Sequence, residues 1–312
     1  MDRDFTQLNW SPQIVEDLRR IARLAVLEDL DRGQDWTTVS LVPEEATAAA
    51  NVVARQAGVI AGLAAIAIIF DEMEIEAECH LKVQDGDAVA AGTVVATVSG
   101  SARDLLTSER IVLNLVGRLT GIATLTRRYV EAAGQGARIY DTRKTTPGWR
   151  RLEKYAVHCG GGHNHRTGLY DAILIKDNHL ALGREQGGAG GFTPGGAVRK
   201  TKEFLAQQIG GEPPRGAPDA NMIVEVEVDS LEQLRAVLPE GPDIILLDNM
   251  TPDQLREAVA IRTAAASNAE FEASGGITLQ TIPAVAATGI ERISVGALTH
   301  SAVSLDVALD WQ

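Results

Sequence analysis

Six times between residues 137 and 297, a short apolar run is followed at once by polar or glycine-rich residues and then by a helical stretch. The runs are 137–140, 172–175, 222–228, 244–247, 271–273 and 293–295, and they end on DTRK, KDNH, Glu227, DN, SGG and GA. Short Val-, Ile- and Leu-rich runs alternating with helical segments predict parallel strands joined by crossover helices. The pattern therefore predicts a parallel α/β barrel or a fragment of one, six-stranded because two further units are missing after residue 137. Chemistry in such folds collects at the C-terminal strand ends, which is where these polar groups fall.

Upstream the grammar changes. Residues 12–30 carry Ile14, Val15, Leu18, Ile21, Leu24, Ala25 and Leu27 at helical spacing, and Ser11 before Pro12 is a start signal, so a scaffold helix is predicted. Between 48 and 98, glycine-broken Val and Ile runs predict a small, mostly β domain with one helix near 66–70. Asp85-Gly86 and Ala91-Gly92 supply its turns. Residues 105–131 read as one or two helices, with Arg110 and Arg118 two turns apart and projecting together. The expected domains are 1–130, joined by the tail 298–312, and a catalytic barrel over 131–297. Residues 187–218, where GGAGG, GFTPGG and GGEPPRGAP surround RKTKEFLAQQI, read as a surface insertion carrying one helix.

Charge narrows the function. With 42 acidic against 29 basic residues the chain carries a net charge of -13, which argues against broad nucleic-acid binding. Arg118, Arg127, Arg128 and Arg138 also lack an aromatic platform. Cys79 and Cys159 are too few and too poorly spaced for a disulfide scaffold, so a reducing compartment is expected. No stretch approaches eighteen uninterrupted apolar residues and no basic-led apolar signal opens the chain, so the expectation is a cytoplasmic protein without a membrane segment.

Against this acidic background, Tyr140 to His179 packs three basic clusters around glycines. Arg143, Lys144, Arg166 and Lys176 sit beside strand ends, where a guanidinium fork fits a carboxylate or phosphate and a lysine supplies a compact charge. That is the signature of a pocket for a multiply anionic small molecule. His165 adjoins Arg166 and is expected to donate to the anion or to orient it. The C-x3-H-x-H spacing of Cys159, His163 and His165, even with His158, lacks a matching cysteine pair, and cationic neighbours repel a divalent ion, which argues against zinc. Glu227 and Asp248 end apolar strands, where carboxylates accept from ribose hydroxyls or hold Mg²⁺ through water. Ser274-Gly275-Gly276, and Gly296 just after Ser294, can present backbone N–H groups to a phosphate. Neither GxGxxG nor GxxxxGK[ST] is present, which removes the main support for Rossmann and P-loop readings.

The segments SERIVLNLVGRLTGIAT, YDTRKTTPGWRRLEKYAV, GGGHNHRTGLYDAILIKDNH, EVEVDS, LLDNM, ASGGI and ISVGALTHS together resemble the quinolinate phosphoribosyltransferase family, also called carboxylating nicotinate-nucleotide pyrophosphorylases. The resemblance spans nearly the whole chain. It implies an N-terminal α+β open-faced sandwich domain beside an incomplete, six-stranded α/β barrel. It also implies transfer of phosphoribosyl from 5-phosphoribosyl 1-diphosphate to quinolinate with decarboxylation, giving nicotinate mononucleotide, pyrophosphate and carbon dioxide, with Mg²⁺ as cofactor. Carried over residue by residue, Arg143, His165, Arg166 and Lys176 hold the two carboxylates, and Lys144 lies near both substrates. Glu227 and Asp248 recognise ribose and Mg²⁺-diphosphate, while Ser274, Gly275, Gly276, Ser294 and Gly296 receive the phosphate end. Lys144, Lys176, Glu227 and Asp248 carry the catalysis. The family assembles as a homodimer or a hexamer of dimers, and Arg110 matches the arginine that enters the neighbouring subunit's site. Asp35-Trp36-Thr37 departs from the family's usual string and leaves that turn open.

Three other readings compete. A molybdate-transport-associated pyrophosphorylase-like protein shares the architecture, but DTRKTTPG, NHR and KDNH favour quinolinate. A nicotinate phosphoribosyltransferase handles one carboxylate and would not use so many cations. A biotinyl- or lipoyl-like module is suggested by VQDGDAVAAGTVVATVSG, yet no lysine occupies its hairpin position.

Overall fold

The computed structural model describes residues 4–183, 191–209 and 222–312. In chain order the elements are α1 (Pro12–Leu30), α2 (Trp36–Leu41), β1 (Thr47–Ala54), β2 (Gly58–Val59), α3 (Ala65–Glu72), β3 (Ala77–Leu81), β4 (Ala88–Val89), β5 (Thr93–Ser101) and α4 (Ala102–Ala133). They continue as β6 (Arg138–Tyr140), α5 (Arg150–Cys159), β7 (Ile173–Ile175), α6 (Asp177–Leu182), α7 (Pro194–Ile209), β8 (Val224–Val228) and α8 (Leu231–Val237). The chain closes with β9 (Ile244–Asp248), α9 (Pro252–Ala264), β10 (Glu270–Ser274), α10 (Ile282–Ala286), β11 (Arg292–Ser294), α11 (Ala297–His300) and β12 (Val307–Trp311). Two compact units emerge. One comprises Met1–Thr6, Tyr129–Arg143 and His163–Val295; the other comprises Gln7–Arg128, Lys144–Gly162 and Gly296–Gln312.

The second unit is built on an antiparallel sheet in the order β12-β1-β5-β3. Its α1 starts where Ser11 Oγ accepts from Ile14 N, with Pro12 at the first turn, and buries Ile14, Leu18 and Ala22 one turn apart. The residues 35–37 form a regular cap: Asp35 accepts from Thr38 N at 3.0 Å and from its hydroxyl, which holds the carboxyl below its usual range. Asp85 anchors the β2–β4 region by accepting from Gly62 N, Leu63 N and the Tyr155 hydroxyl at 2.8–3.1 Å. Residues 105–131 belong to one helix, the 32-residue α4. On it Arg118 turns inward, binding Glu153 at 2.6 Å, Ala302 O at 2.7 Å and Thr299 O. Arg110 is exposed, so the two arginines do not project together.

The first unit carries a six-stranded sheet, wholly parallel, in the order β6-β11-β10-β9-β8-β7. This barrel-like sheet is left open between the edge strands β6 and β7. Register and two-residue periodicity sort its side chains onto two faces. One face is apolar: Ile139, Ile293, Phe271, Ala273, Ile245, Leu247, Val226 and Ile175, all buried. Helices supply its cover, and the Arg262 guanidinium of α9 lies 4.6 Å from the Phe271 ring centroid. The opposite face carries Arg138, Tyr140, Arg292, Ser294, Glu270, Glu272, Ser274, Asp248, Glu225 and Glu227.

The N-terminal segment closes that polar face at the start of the strands. Asp4 pairs with Arg292 at 2.9 Å and with Arg138 at 3.6 Å, and accepts from the Tyr140 hydroxyl at 2.9 Å. Phe5 stacks on the His165 ring with centroids 4.2 Å apart and joins Tyr140, Ala172, Ile223 and Ile244 in one buried cluster. Arg292 is fully buried, so its pairing with Asp4 and Glu270 is what makes its charge tolerable there.

The stretch predicted as a surface insertion contains a barrel element. Its described part includes α7, which connects β7 to β8 and buries Ala197, Val198 and Leu205. Thr193 Oγ1 accepts from Gly196 N at its first turn. Residues 187–190 and 210–218 of that expectation lie outside the described residues.

Candidate active site

Three of the sequence-predicted cations, Arg143, Arg166 and Lys176, lie at or beside strand ends of the first unit. Asp141, fully buried after β6, accepts from Asn164 Nδ2 at 2.8 Å and from His165 N at 2.9 Å. His163 meanwhile bonds along the free edge of β6, donating to Ile139 O at 2.7 Å and accepting from Asp141 N at 3.0 Å. The HNHR string is thus laid beside β6 as a short parallel extension, which brings Arg166 toward Arg143.

Arg166 is 6% exposed and donates from Nη1 to Ala172 O at 3.2 Å. Its Nε, like that of Arg143, is buried with no hydrogen-bond partner among the described residues. Burial, followed by the like charge of Arg143, lowers the Arg166 pKa. Two guanidiniums that repel each other and retain buried, unused donors form a site that an anion relieves on both counts.

Lys176 leaves the end of β7 and meets Glu227 at the end of β8, with Nζ 2.6 Å from Oε2. Glu227 pairs in register with Leu246, so Asp248, two residues on, shares its face on the adjacent strand. Hard carboxylate oxygens at two neighbouring strand ends fit a hydrated Mg²⁺ shared with a phosphorylated ligand.

Asp248 also accepts from Asn249 Nδ2 at 2.7 Å, and Asn249 N donates to Ser274 O at 2.9 Å. Gly275 is the residue this link requires. Its φ is +92°, and a Cβ there would sit 2.1 Å from Asn249 Oδ1. Gly276 beyond it has open space where a Cβ would be.

In the second unit, Lys144 is exposed, and its carbonyl accepts from the Thr299 hydroxyl at 2.7 Å. A Cβ on Gly296 would press within 3.0 Å of Lys144 Cδ.

His165 departs from expectation. Nδ1 accepts from Arg166 N at 2.8 Å, and Nε2 points into the interior, 3.0 Å from Glu225 and 3.5 Å from Glu272. Nδ1 is therefore taken up by the backbone, and Nε2 faces two buried carboxylates within the unit. The glutamates were missed by the sequence reading, although EVEV and FEAS carry their signal: a two-residue period with charge on one face. Asp141 was noted only as part of a strand end. By distance alone His165, Glu225 and Glu272, within 4.8 Å of one another, can hold a metal ion.

Residues 35–120 match the N-terminal domain of the quinolinate phosphoribosyl transferase family, and residues 122–190 with 213–310 match its C-terminal domain. The chain is 43% identical over 295 residues to the carboxylating nicotinate-nucleotide pyrophosphorylase of Mycobacterium leprae, covering 94% of this chain and 96% of that one. It is 37% identical over 313 residues to the mitochondrial decarboxylating quinolinate phosphoribosyltransferase 2b of Nicotiana tabacum, covering 94% and 82%. The solved nicotinate-nucleotide pyrophosphorylase of Francisella tularensis superposes with a TM-score of 0.86 at 33% identity, over 99% of this chain and 100% of that one. With both family domains matched and relatives of this identity aligned almost end to end, the chain belongs to the quinolinate phosphoribosyltransferase family.

Proposed function

We infer that this protein is a decarboxylating quinolinate phosphoribosyltransferase of NAD biosynthesis. The observation that carries the reading is the Arg143–Arg166 pair, a half-buried and a buried arginine, each with a buried, unused Nε donor, at the strand ends of the sheet. Quinolinate brings two adjacent carboxylates, which match paired forks better than one carboxylate would. Arg143 and Arg166 hold the diacid in this reading, and Lys176 exchanges its Glu227 partner for it.

Glu227 and Asp248 take the ribose hydroxyls and would hold Mg²⁺ through water. When bound, Mg²⁺ supplies charge stabilisation for the departing pyrophosphate. Ser274 to Gly276, Ser294 and Gly296 receive the phosphate, and Lys144 serves the phosphoribosyl diphosphate. The pyridine nitrogen attacks C1, so the protein needs to hold the two reactants in line and needs no covalent nucleophile. Once the nitrogen is quaternary, loss of the 2-carboxylate leaves its electron pair beside a positive centre. We read the working assembly as a homodimer in which exposed Arg110 completes the neighbour's site.

The test is incubation with phosphoribosyl diphosphate, Mg²⁺ and either quinolinate or nicotinate, following released carbon dioxide and mononucleotide. Carbon dioxide and nicotinate mononucleotide in equal amounts from quinolinate are expected. Turnover of nicotinate alone would overturn the assignment.

A further inference from the structure

Glu225 and Glu272 are both fully buried; the Ser294 hydroxyl faces Glu272, but none of the four carboxylate oxygens has a hydrogen-bond donor of good geometry among the described residues. Unsatisfied buried carboxylates are costly, so a native cluster of this kind calls for a reason. A metal ion is the first candidate, since His165 Nε2 lies between them. The tautomer argues against it. Nδ1 accepts the Arg166 N–H at 2.8 Å and therefore presents a lone pair, so in a neutral imidazole the proton sits on Nε2. A metal-ligating histidine has the opposite arrangement, with a bare nitrogen toward the ion and its other N–H donating outward.

With Nε2 protonated, the ring offers its N–H to the gap between the two carboxylates, and Phe5 stacks on its face. The ring is thus fixed from below by Glu225 and Glu272 and from the side by Phe5. Its Nδ1 lone pair accepts the backbone N–H from which the Arg166 side chain starts. Arg166 is anchored further on Ala172 O, and its Nε, without a partner among the described residues, is left for the anion.

We propose that Glu225 and Glu272 are positioning residues, holding His165 in the Nε2–H tautomer so that its Nδ1 fixes Arg166 at the anion pocket. The inference rests on the reading that Arg166 binds a substrate carboxylate. A carboxyl proton shared within the cluster is consistent with this arrangement: burial, then the neighbouring Glu225, push Glu272 up to about 7.

Two measurements decide it. In ¹⁵N spectra of the whole wild-type enzyme, with His165 assigned by its loss in His165→Gln, Nε2 should show the protonated and Nδ1 the bare-nitrogen shift. A protonated Nδ1, or displacement of the signals by stoichiometric Zn²⁺ or Mn²⁺, would overturn the proposal. This experiment needs no substrate, so it stands or falls apart from the proposed reaction, which fails instead if the wild type turns over no quinolinate. In kinetics, Glu225→Leu should raise KM for quinolinate about tenfold, the loss of roughly one hydrogen bond. KM for phosphoribosyl diphosphate should stay near wild type. Glu225→Gln, which keeps an acceptor oxygen, should restore most of the loss. Equal changes in both KM values, or no rescue by glutamine, would reduce the glutamates to general scaffold.

Discussion

Arg143 and Arg166 lie close enough for their charges to oppose each other, and each keeps a buried donor unused. Removing either guanidinium relieves that repulsion in the free protein and takes away a charge-assisted contact in the complex. Arg143→Ala and Arg166→Ala should therefore fold with unchanged or slightly higher Tm while kcat/KM for quinolinate falls about 10- to 150-fold, the equivalent of roughly 1.5–3 kcal/mol. Steady-state kinetics beside thermal melts check this, and wild-type kcat/KM in either variant would remove that residue from the pocket. Glu272 supports a second expectation. Its folded pKa of about 7 lies above the ordinary value of 4.5, so the folded state binds a proton that the unfolded state releases between those limits. Stability from this group is complete below about pH 4.5 and is lost as pH rises through 7, with a slope approaching 1.4 kcal/mol per unit at most, that is about one proton's worth. Urea unfolding across pH 4.5–7.5 should show Glu272→Gln, a neutral mimic, lacking that decline. Parallel curves for the two proteins would show that Glu272 is ionised throughout.

The six parallel strands were legible because each is a short Val-, Ile- or Leu-rich run, and all six predicted runs contain or overlap an observed strand. The β-rich character of the N-terminal region was legible, but the turns at Asp85-Gly86 and Ala91-Gly92 do not join paired strands, because β4 pairs with β2 and β3 with β5. What the sequence concealed depends on tertiary partners. The helix of RKTKEFLAQQI was legible, but the flanking glycine- and proline-rich patches made it read as a surface insertion; it starts at Pro194, and burial of Ala197, Val198 and Leu205 makes it a crossover helix. His165 read as an anion donor because it follows HN and precedes Arg166; only Asp141 and the edge of β6 reveal that its ring turns inward. Nor did any local pattern connect Asp4 and Phe5 with β11, 288 residues away. That segment is where an element-scale test belongs. Phe5→Ala removes a ring stacked on His165 and packed on Tyr140, at a cost of about 3–5 kcal/mol in unfolding free energy. Chemical denaturation measures it, and a change below about 1 kcal/mol would mean that the floor holds without Phe5.

At the scale of the molecule, exposed Arg110 and half-buried Lys176 give the proposed shared site a direct test. Arg110→Ala and Lys176→Ala should each be nearly inactive as homodimers. After subunit exchange, a mixed dimer carries both defects in one site and neither in the other. Random exchange makes about half the dimers mixed, so activity should rise toward roughly one quarter of wild type per site. Native mass spectrometry verifies the exchange; mixed dimers without recovery would place Arg110 in its own subunit's chemistry or in packing alone. The closure of the sheet by Asp4 and Phe5 bears on how the chain is made. Asp4 precedes Arg292, its charged partner, by 288 residues, so in synthesis the carboxylate emerges well before the guanidinium. At translation rates of about 5–20 residues per second that is a wait of roughly a quarter of a minute to a minute. During it, the rings of Tyr140 and His165 that Phe5 meets have already been made, but the carboxylate of Asp4 has no buried guanidinium to neutralise. The polar face is therefore closed only after β11 has been made, by seating Asp4 under that strand, and a bulky group attached just before Asp4 should slow that step more than one attached after β12.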